Sequence, residues 1–284
     1  MIKFYIRIVL FLLSISLYVN NKALATEPAQ EEDTKIKTKS KKCYTTPTEI
    51  YLKNKHLLCN NRNETINAEK LMNEAATHLE YHITNNNGYE LCKSSASCSR
   101  TFSRKKHGDT LVQRTNLKYY HPNHYNEVIN LLWNPAFANN FNNSSVKRKI
   151  KRVYNPNLVI IKQCYKDSKF GRWKYFYALA AKVDISEEKT IIVMASANIN
   201  DHHPSKKEYK NTIIESANLF KTDIDSNIFI RNGILKKTFV NIAGYLVEKR
   251  DWYIDIIYLE SIDGHTSNFQ ELINQRALNK FFPS

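Results

Sequence analysis

The feature that most narrows the fold is a series of seven β-like segments in the second half of the chain. They read VKRKIKRV, LVIIKQCYK, WKYFYALAAKV, TIIVMASANI, NTIIESANLFK, LKKTFVNIAGYLVEK and WYIDIIYLESI. Each is rich in β-branched and aromatic residues, and turn-forming stretches such as NPN, DSKFG and DISEEK separate them. Strands that follow one another through short connections pair most simply as an antiparallel meander.

These strands also break a rule. An antiparallel sheet with one wet face alternates apolar and polar side chains. Here Trp173, Tyr175, Tyr177, Leu179, Ala181 and Val183 form one set, yet Phe176, Ala178 and Ala180 stand on the other. In the next segment Ile191, Val193, Ala195, Ala197 and Ile199 oppose Ile192 and Met194, mixed with Ser196 and Asn198. A curved sheet wrapped around one long helix uses such faces. The small residues Ala178, Ala180, Ala195 and Ala197 remove volume without adding polarity. An apolar gap of the kind that holds a lipid or other small ligand satisfies the pattern. So does a tightly packed core.

Helical periodicity brackets the strands. Leu71, Ala75, Leu79 and Ile83 make one stripe from about Asn67, ended by NNNG with Gly88. YELCK reads as a short strand, residues 94–108 as a loop, and DTLVQRTNL as another strand. HPNHYNEVINLLWNPAF is a second helix, with Val128, Leu131 and Leu132 on its face and Asn134-Pro135 as its stop. TSNFQELINQRALNKFF closes the chain as an amphipathic helix carrying Phe269, Leu272, Ile273, Leu278 and Phe281. The expected outline is helix, two strands, helix, about seven strands, helix.

The first 25 residues read as a secretory signal peptide. Lys3 and Arg7 precede an apolar run from Ile8 to Val19, and Ala23-x-Ala25 follows. The run is short for a bilayer core of about 30 Å. Removing these residues lowers the net charge from +15 to +12. Such a balance favours anionic partners, lipid headgroups and polyanions among them. Residues 26–66 are polar and read as a mobile leader. Secretion permits disulfides. Cys43–Cys59 and Cys92–Cys98 are the obvious local pairs and Cys164 is left over, but spacing does not fix the connectivity.

Several chemistries lack their motifs. There is no G-x-G-x-x-G, no G-x-x-x-x-G-K-[ST], no G-x-S-x-G, no C-x-x-C and no zinc-like His/Cys spacing. NINDHHPSKK, residues 198–207, is the one concentration of His and Asp. Adjacent His202 and His203 on a strand point to opposite sides, and Pro204 ends sheet pairing, so a strand-end role is expected rather than a metal site.

Taken in order, the segments resemble the START (StAR-related lipid-transfer) family, in the variant found in the malaria-parasite fam-a proteins. GYELCK is similar to its first strand, and NEVINLLWNPAFANNF to its second helix and the following turn, with Asn134 where an acid is usual. GRWKYFYALA resembles the Arg-Asp-Phe-Val strand, with Lys174 in place of the acid. SANINDHHP is similar to the Ser-Val-Glu-His-Pro strand end. FVNIAGYLVEK and YIDIIYLESIDG resemble the closing strands, with Tyr245 where Gly-Trp is usual. The resemblance covers residues 67–284, with 205–234 as an insertion holding an extra strand and loop.

The resemblance implies an α+β helix-grip fold, a curved antiparallel sheet of about nine strands around the C-terminal helix. It implies a lipid-transfer protein with a phosphatidylcholine-like phospholipid cargo in an apolar tunnel, no catalytic residues, no cofactor and no metal. The expected tunnel lining is Tyr175, Tyr177, Leu179, Val193, Ala195, Ala197, Phe239, Tyr245, Ile256, Tyr258, Phe269, Leu272 and Ile273. Ile228, Phe229 and Ile230 interrupt a polar stretch and are the expected contact with an anionic membrane surface. The cavity arginine and acid of some relatives are not evident, so headgroup contacts do not carry over. A monomer without nucleic-acid partners is expected. It would be secreted and, by the fam-a likeness, exported into the host cell or parasitophorous vacuole. The alternative is a secreted adhesion or interaction protein with the same fold and a filled pocket.

Overall fold

A computed structural model of the chain describes residues 45–95, 100–140, 146–166, 171–205 and 207–263. The expected signal peptide, Cys43, Cys98 and the C-terminal helix with Phe269, Leu272 and Ile273 lie outside the described residues. The compact unit that holds the described residues is Cys43–Ser284.

The helices are α1 (Pro47–Lys53), α2 (Arg62–Thr84), α3 (Tyr125–Trp133), α4 (Pro135–Asn140) and α5 (Ile228–Arg231). The strands are β1 (Glu90–Ser95), β2 (Arg100–His107), β3 (Thr110–Tyr119), β4 (Val146–Asn155), β5 (Leu158–Tyr165), β6 (Lys174–Ser186), β7 (Lys189–Ala195), β8 (Asn198–Asn200), β9 (Lys221–Asp223), β10 (Lys236–Lys237), β11 (Phe239–Lys249) and β12 (Ile254–Asp263). The main sheet has the order β1-β2-β3-β12-β11-β7-β6-β5-β4, nine strands paired antiparallel, with β10 added parallel to β6. The antiparallel sheet of about nine strands is thus as expected. The meander β4–β7 continues to β11 and β12 after an excursion through β8, β9, α5 and β10. β12 then pairs with β3 to join the two halves.

Three local expectations need correction. The polar leader does not run to residue 66. Thr46 caps α1 in a capping box with Glu49, Ile50 is buried, and Asn61 caps α2 through the Glu64 amide. Caps are polar by necessity, so composition alone reads them as tail. The stretch 94–108 is not all loop, because Arg100–His107 is β2. It pairs along its whole length with β3, but among its described side chains only Phe102 and Ser103 are buried. NTIIESANLFK is not one strand. It forms a 3-10 turn (Glu215–Asn218) before β9, and β9 pairs parallel with β8 in a separate two-stranded sheet.

The broken alternation now has a cause: both faces of the sheet are covered. On one face α2 lays down Leu71, Met72, Ala75, Leu79 and Ile83 against Tyr175, Leu179, Ile191, Val193, Ile242 and Leu246. The 205–234 insertion adds Ile213, Ile214, Ala217, Phe220, Ile224 and Ile230 to the same core. On the other face Ile50 of α1, Val128, Leu132 and Trp133 of α3 and Phe137 of α4 pack with Phe176, Ala178, Ala180, Ile192, Met194 and Val247. Ion pairs fix α2 in place. Glu64 takes Arg152 at 2.7 Å and the Tyr154 hydroxyl at 2.6 Å, and Glu80 takes Lys189 at 2.5 Å. Among the described residues no helix is long and apolar enough to cross a membrane.

Gly244 marks the tightest approach within the sheet. A Cβ there would lie 2.2 Å from the Ile192 carbonyl oxygen and 2.9 Å from Val193 Cα, both backbone atoms of β7. Gly244→Ala is therefore expected to push β11 from β7 and cost about 1–3 kcal/mol. Urea unfolding of the variant checks this. An unchanged midpoint would show that the two strands give way freely.

Candidate functional site: a small apolar cavity with an arginine in its wall

The face carrying α1, α3 and α4 contains a cavity. Its walls are Ile50, Leu132, Trp133 and Pro135 from the helices and Arg148, Ile150, Val159, Ile161, Ala180, Ile192, Met194 and Tyr245 from β4, β5, β6, β7 and β11. Its strand residues share one parity across the sheet. Arg148 stands opposite Gln163, Ile150 opposite Ile161, Ala180 opposite Met194, and Tyr245 opposite Ile192. The lining is apolar except at one end, and its open volume is about 20 Å³. That is room for one or two water molecules.

The polar end is built across four strands. Arg148 Nε donates to Gln163 Oε1 at 2.8 Å. The rings of Tyr245 and Tyr258, opposite each other on β11 and β12, lie 4.8 Å apart. The Tyr258 hydroxyl donates to Glu260 Oε2 at 2.7 Å. Burial lowers the pKa of the Arg148 guanidinium, against the pull of Tyr245 and Tyr258. Burial also pushes Tyr245 up to about 12, and carries Tyr258 well above the usual phenol range with Glu260 adding to it. Trp133 supplies a further donor: its indole Nε1 is buried with no partner among the described residues. Arg148 and Trp133 thus bring N–H groups to the wall of a largely apolar cavity. That combination suits one anionic group attached to an apolar body.

The expected lining divides between the faces. Tyr245 lines the cavity, Ile256 belongs to the same packed face, and Tyr258 stands beside Tyr245. Tyr175, Tyr177, Leu179, Val193, Ala195 and Ala197 belong to the opposite face, in the core under α2. Their placement in the tunnel is corrected for a simple reason: both parities of β6 and β7 are apolar, so pattern could not choose between them. Phe239 is buried beneath Tyr209, ring on ring at 5.5 Å, beside a separate surface groove. Arg148, Gln163, Trp133 and Glu260 were missed. Arg148 sits in a run of cations, VKRKIKRV, that reads as a solvated edge strand. Only its parity with Ile150, inward beside Ile161, distinguishes it.

The expected membrane loop also divides. Asn227 caps α5, Ile230 is fully buried in the core under α2, and Ile228 and Phe229 are 59% and 54% exposed. Ile230 therefore cannot serve as a surface anchor. The Asp-His-His-Pro stretch ends β8. Asp201 is buried, accepts from Tyr175 Oη and Lys237 Nζ at 2.8 Å each, and fixes the strand end. His202, with φ of 57°, turns to Asp223 at 3.1 Å. His203 reaches the Leu235 carbonyl at 3.2 Å while its Nδ1 accepts from the Ser205 amide. The two rings are held by different partners, and no group of three metal-binding side chains exists among the described residues. Cys59, Cys92 and Cys164 are free thiols.

Comparison with solved structures identifies the fold. The chain superposes on human StAR-related lipid transfer protein 5 with a TM-score of 0.51 at 11% identity, over 77% of this chain and 94% of that one. The fold is START-like. Human STARD10 aligns with a TM-score of 0.47 at 12% identity, over 72% of this chain and 74% of that one. The lipid transfer and protein localization domain of human StarD13 aligns with a TM-score of 0.47 at 15% identity, over 73% and 96%. No family model and no curated protein sequence matches the chain. In this START-like sheet the cavity lies on the face away from α2.

Proposed function

We propose that the chain binds a phospholipid-like amphiphile in this cavity and carries it between membranes. The observation that carries the reading is the half-buried guanidinium of Arg148 beside the unpartnered Trp133 indole in the wall of an otherwise apolar cavity. A phosphate would accept a hydrogen bond from the unpartnered Trp133 indole and a charge-assisted one from the guanidinium beside it. The faces of Tyr245 and Tyr258 are the kind of surface a quaternary ammonium takes, which suits a phosphatidylcholine-like headgroup. Acyl carbons gain about 0.8 kcal/mol each on leaving water for an apolar site. Basic surface residues would dock the carrier at an anionic leaflet at about 1 kcal/mol each, with Ile228 and Phe229 as exposed apolar contacts. No covalent step belongs to this reading. Secretion and export, as the first 25 residues and the fam-a likeness imply, belong to it.

Ligand pockets for drug-sized molecules run from about 300 to 1,000 Å³, so the walls must part to admit a lipid. The 20 Å³ opening favours a second reading, an interaction protein whose pocket is filled by its own side chains. Native mass spectrometry separates the two. Carriage is expected to show a bound mass of phospholipid size, together with transfer of a labelled phosphatidylcholine between vesicles. Protein free of lipid and inert in transfer would leave the interaction reading standing.

A further inference from the structure

The outer edge of the sheet, on the α2 side of β4 and β5, carries an unusual surface. Lys147, Lys149 and Lys151 follow one another along β4, and Lys162 and Lys166 belong to β5 and its end. Lys149 stands directly opposite Lys162, and Lys147 opposite Cys164. Like charges directly opposite across a strand pair are destabilising. The repulsion is felt: burial lowers the pKa of Lys162, and Lys151 and Lys149 lower it further. Acidic side chains could relieve this. The salt bridges among the described residues take other cations instead, Arg152, Lys182, Lys189 and Lys237 among them, and give none of these five lysines a carboxylate from the described residues.

We propose that this row of lysines is a binding surface for a sulfated polysaccharide. The inference is independent of lipid carriage, because the row faces away from the cavity. Geometry chooses the partner. Alternate residues of a strand lie about 6.6 Å apart, so Lys147 and Lys149 stand in line with Lys162 beside them, and Lys151 follows at the β-bulge between Ile150 and Arg152. A line of cations fits an extended chain of anions. A nucleic acid would also want aromatic faces for its bases. The aromatic ring at this edge, Trp173, has Lys147 Nζ at 5.6 Å and Lys166 Nζ at 5.1 Å from its centroid, so cations already occupy it. A bilayer would want free apolar groups to insert. Among the described residues the exposed large apolar side chains, Leu219, Ile228, Phe229 and Trp252 among them, all lie outside β4 and β5. Sulfate groups need only ammonium donors.

The test uses the full chain and a heparin-derived decasaccharide, titrated calorimetrically at two salt concentrations. The pair Lys149→Gln with Lys162→Gln is expected to weaken binding about tenfold at low salt and to flatten its salt dependence. A control pair of equal charge change, Lys53→Gln with Lys55→Gln on α1 and the turn after it, is expected to leave affinity within about twofold. The patch variant should also melt at a slightly higher temperature, since a like-charge pair is gone. This shows that lost binding is not lost folding. Equal weakening by both pairs would overturn the proposal, as would no binding at all. Tighter binding of a single-stranded oligonucleotide or of phosphatidylserine vesicles through the same lysines would overturn it too.

Discussion

Arg148→Met is expected to empty the cavity of phospholipid while leaving the fold in place. A hydrogen bond to a charged group contributes about 1.5–3 kcal/mol, so losing the guanidinium should weaken headgroup retention by about 10- to 100-fold. The effect on stability should be small. Burial already disfavours the charge on Arg148. An apolar side chain of similar length relieves that desolvation but gives up the bond to Gln163, so the two offset to within about 1–2 kcal/mol. Methionine can follow the same path past Ile150 and Ile161 without a cavity. The combination is the signature: less co-purified lipid and slower vesicle transfer, with a little-changed melting temperature. Unchanged lipid content and transfer would mean that Arg148 is a structural residue and that the cavity does not read a headgroup.

Acid should destabilise the fold well before its carboxylates protonate. His82 on α2 is 3% exposed, and its Nδ1 has no hydrogen-bond partner among the described residues. Its ring meets Tyr81 edge-on at 5.5 Å and His107 of β2 at 5.4 Å. Burial lowers its pKa to about 4, and His107, Lys105 and His78 add positive charge nearby. The unfolded chain binds the proton at about 6.5. The neutral form is therefore native. Its contribution is complete above pH 6.5 and is lost as pH falls from 6.5 to about 4. The difference of about 2.5 units corresponds to roughly 3 kcal/mol. Glu64, whose pKa is lowered by hydrogen bonds from Tyr154, Arg152 and Thr222 against its burial, loses its contribution only below its usual 4.5. The two are thus separable on the pH axis. Urea unfolding at pH 7, 6, 5 and 4.5 should show a falling midpoint, and His82→Phe should flatten that fall. An equally steep fall in the variant would place the acid sensitivity elsewhere.

Much of the architecture was legible. Leu71, Ala75, Leu79 and Ile83 announce a helix by spacing, and six of the seven β-like segments overlap main-sheet strands, TIIVMASANI also running on into β8, while the seventh broke at Glu215–Asn218. The site was less legible, for a physical reason. A strand buried on both faces has no polar parity to say which side holds a cavity, so the pattern could not tell that Tyr175 and Val193 pack in the core under α2. The deciding residue, Arg148, hides among surface cations of VKRKIKRV. The ends of α1 and α2 were lost because Thr46, Glu49 and Asn61 are polar groups that serve the backbone rather than solvent.

The pairing of β3 with β12 has a consequence for the order of assembly. Thr110 and Ser261 share a hydrogen bond across 151 residues of chain. The strands β4 to β7 can zip up as soon as they are synthesised. β3 instead offers an open edge until almost the whole domain has emerged. Contacts so distant in sequence slow folding, and unpaired edges recruit other chains in the meantime. The β1–β2–β3 ribbon should be the last part to gain protection from hydrogen exchange. A nascent chain arrested before Ile254 should be the species that aggregates.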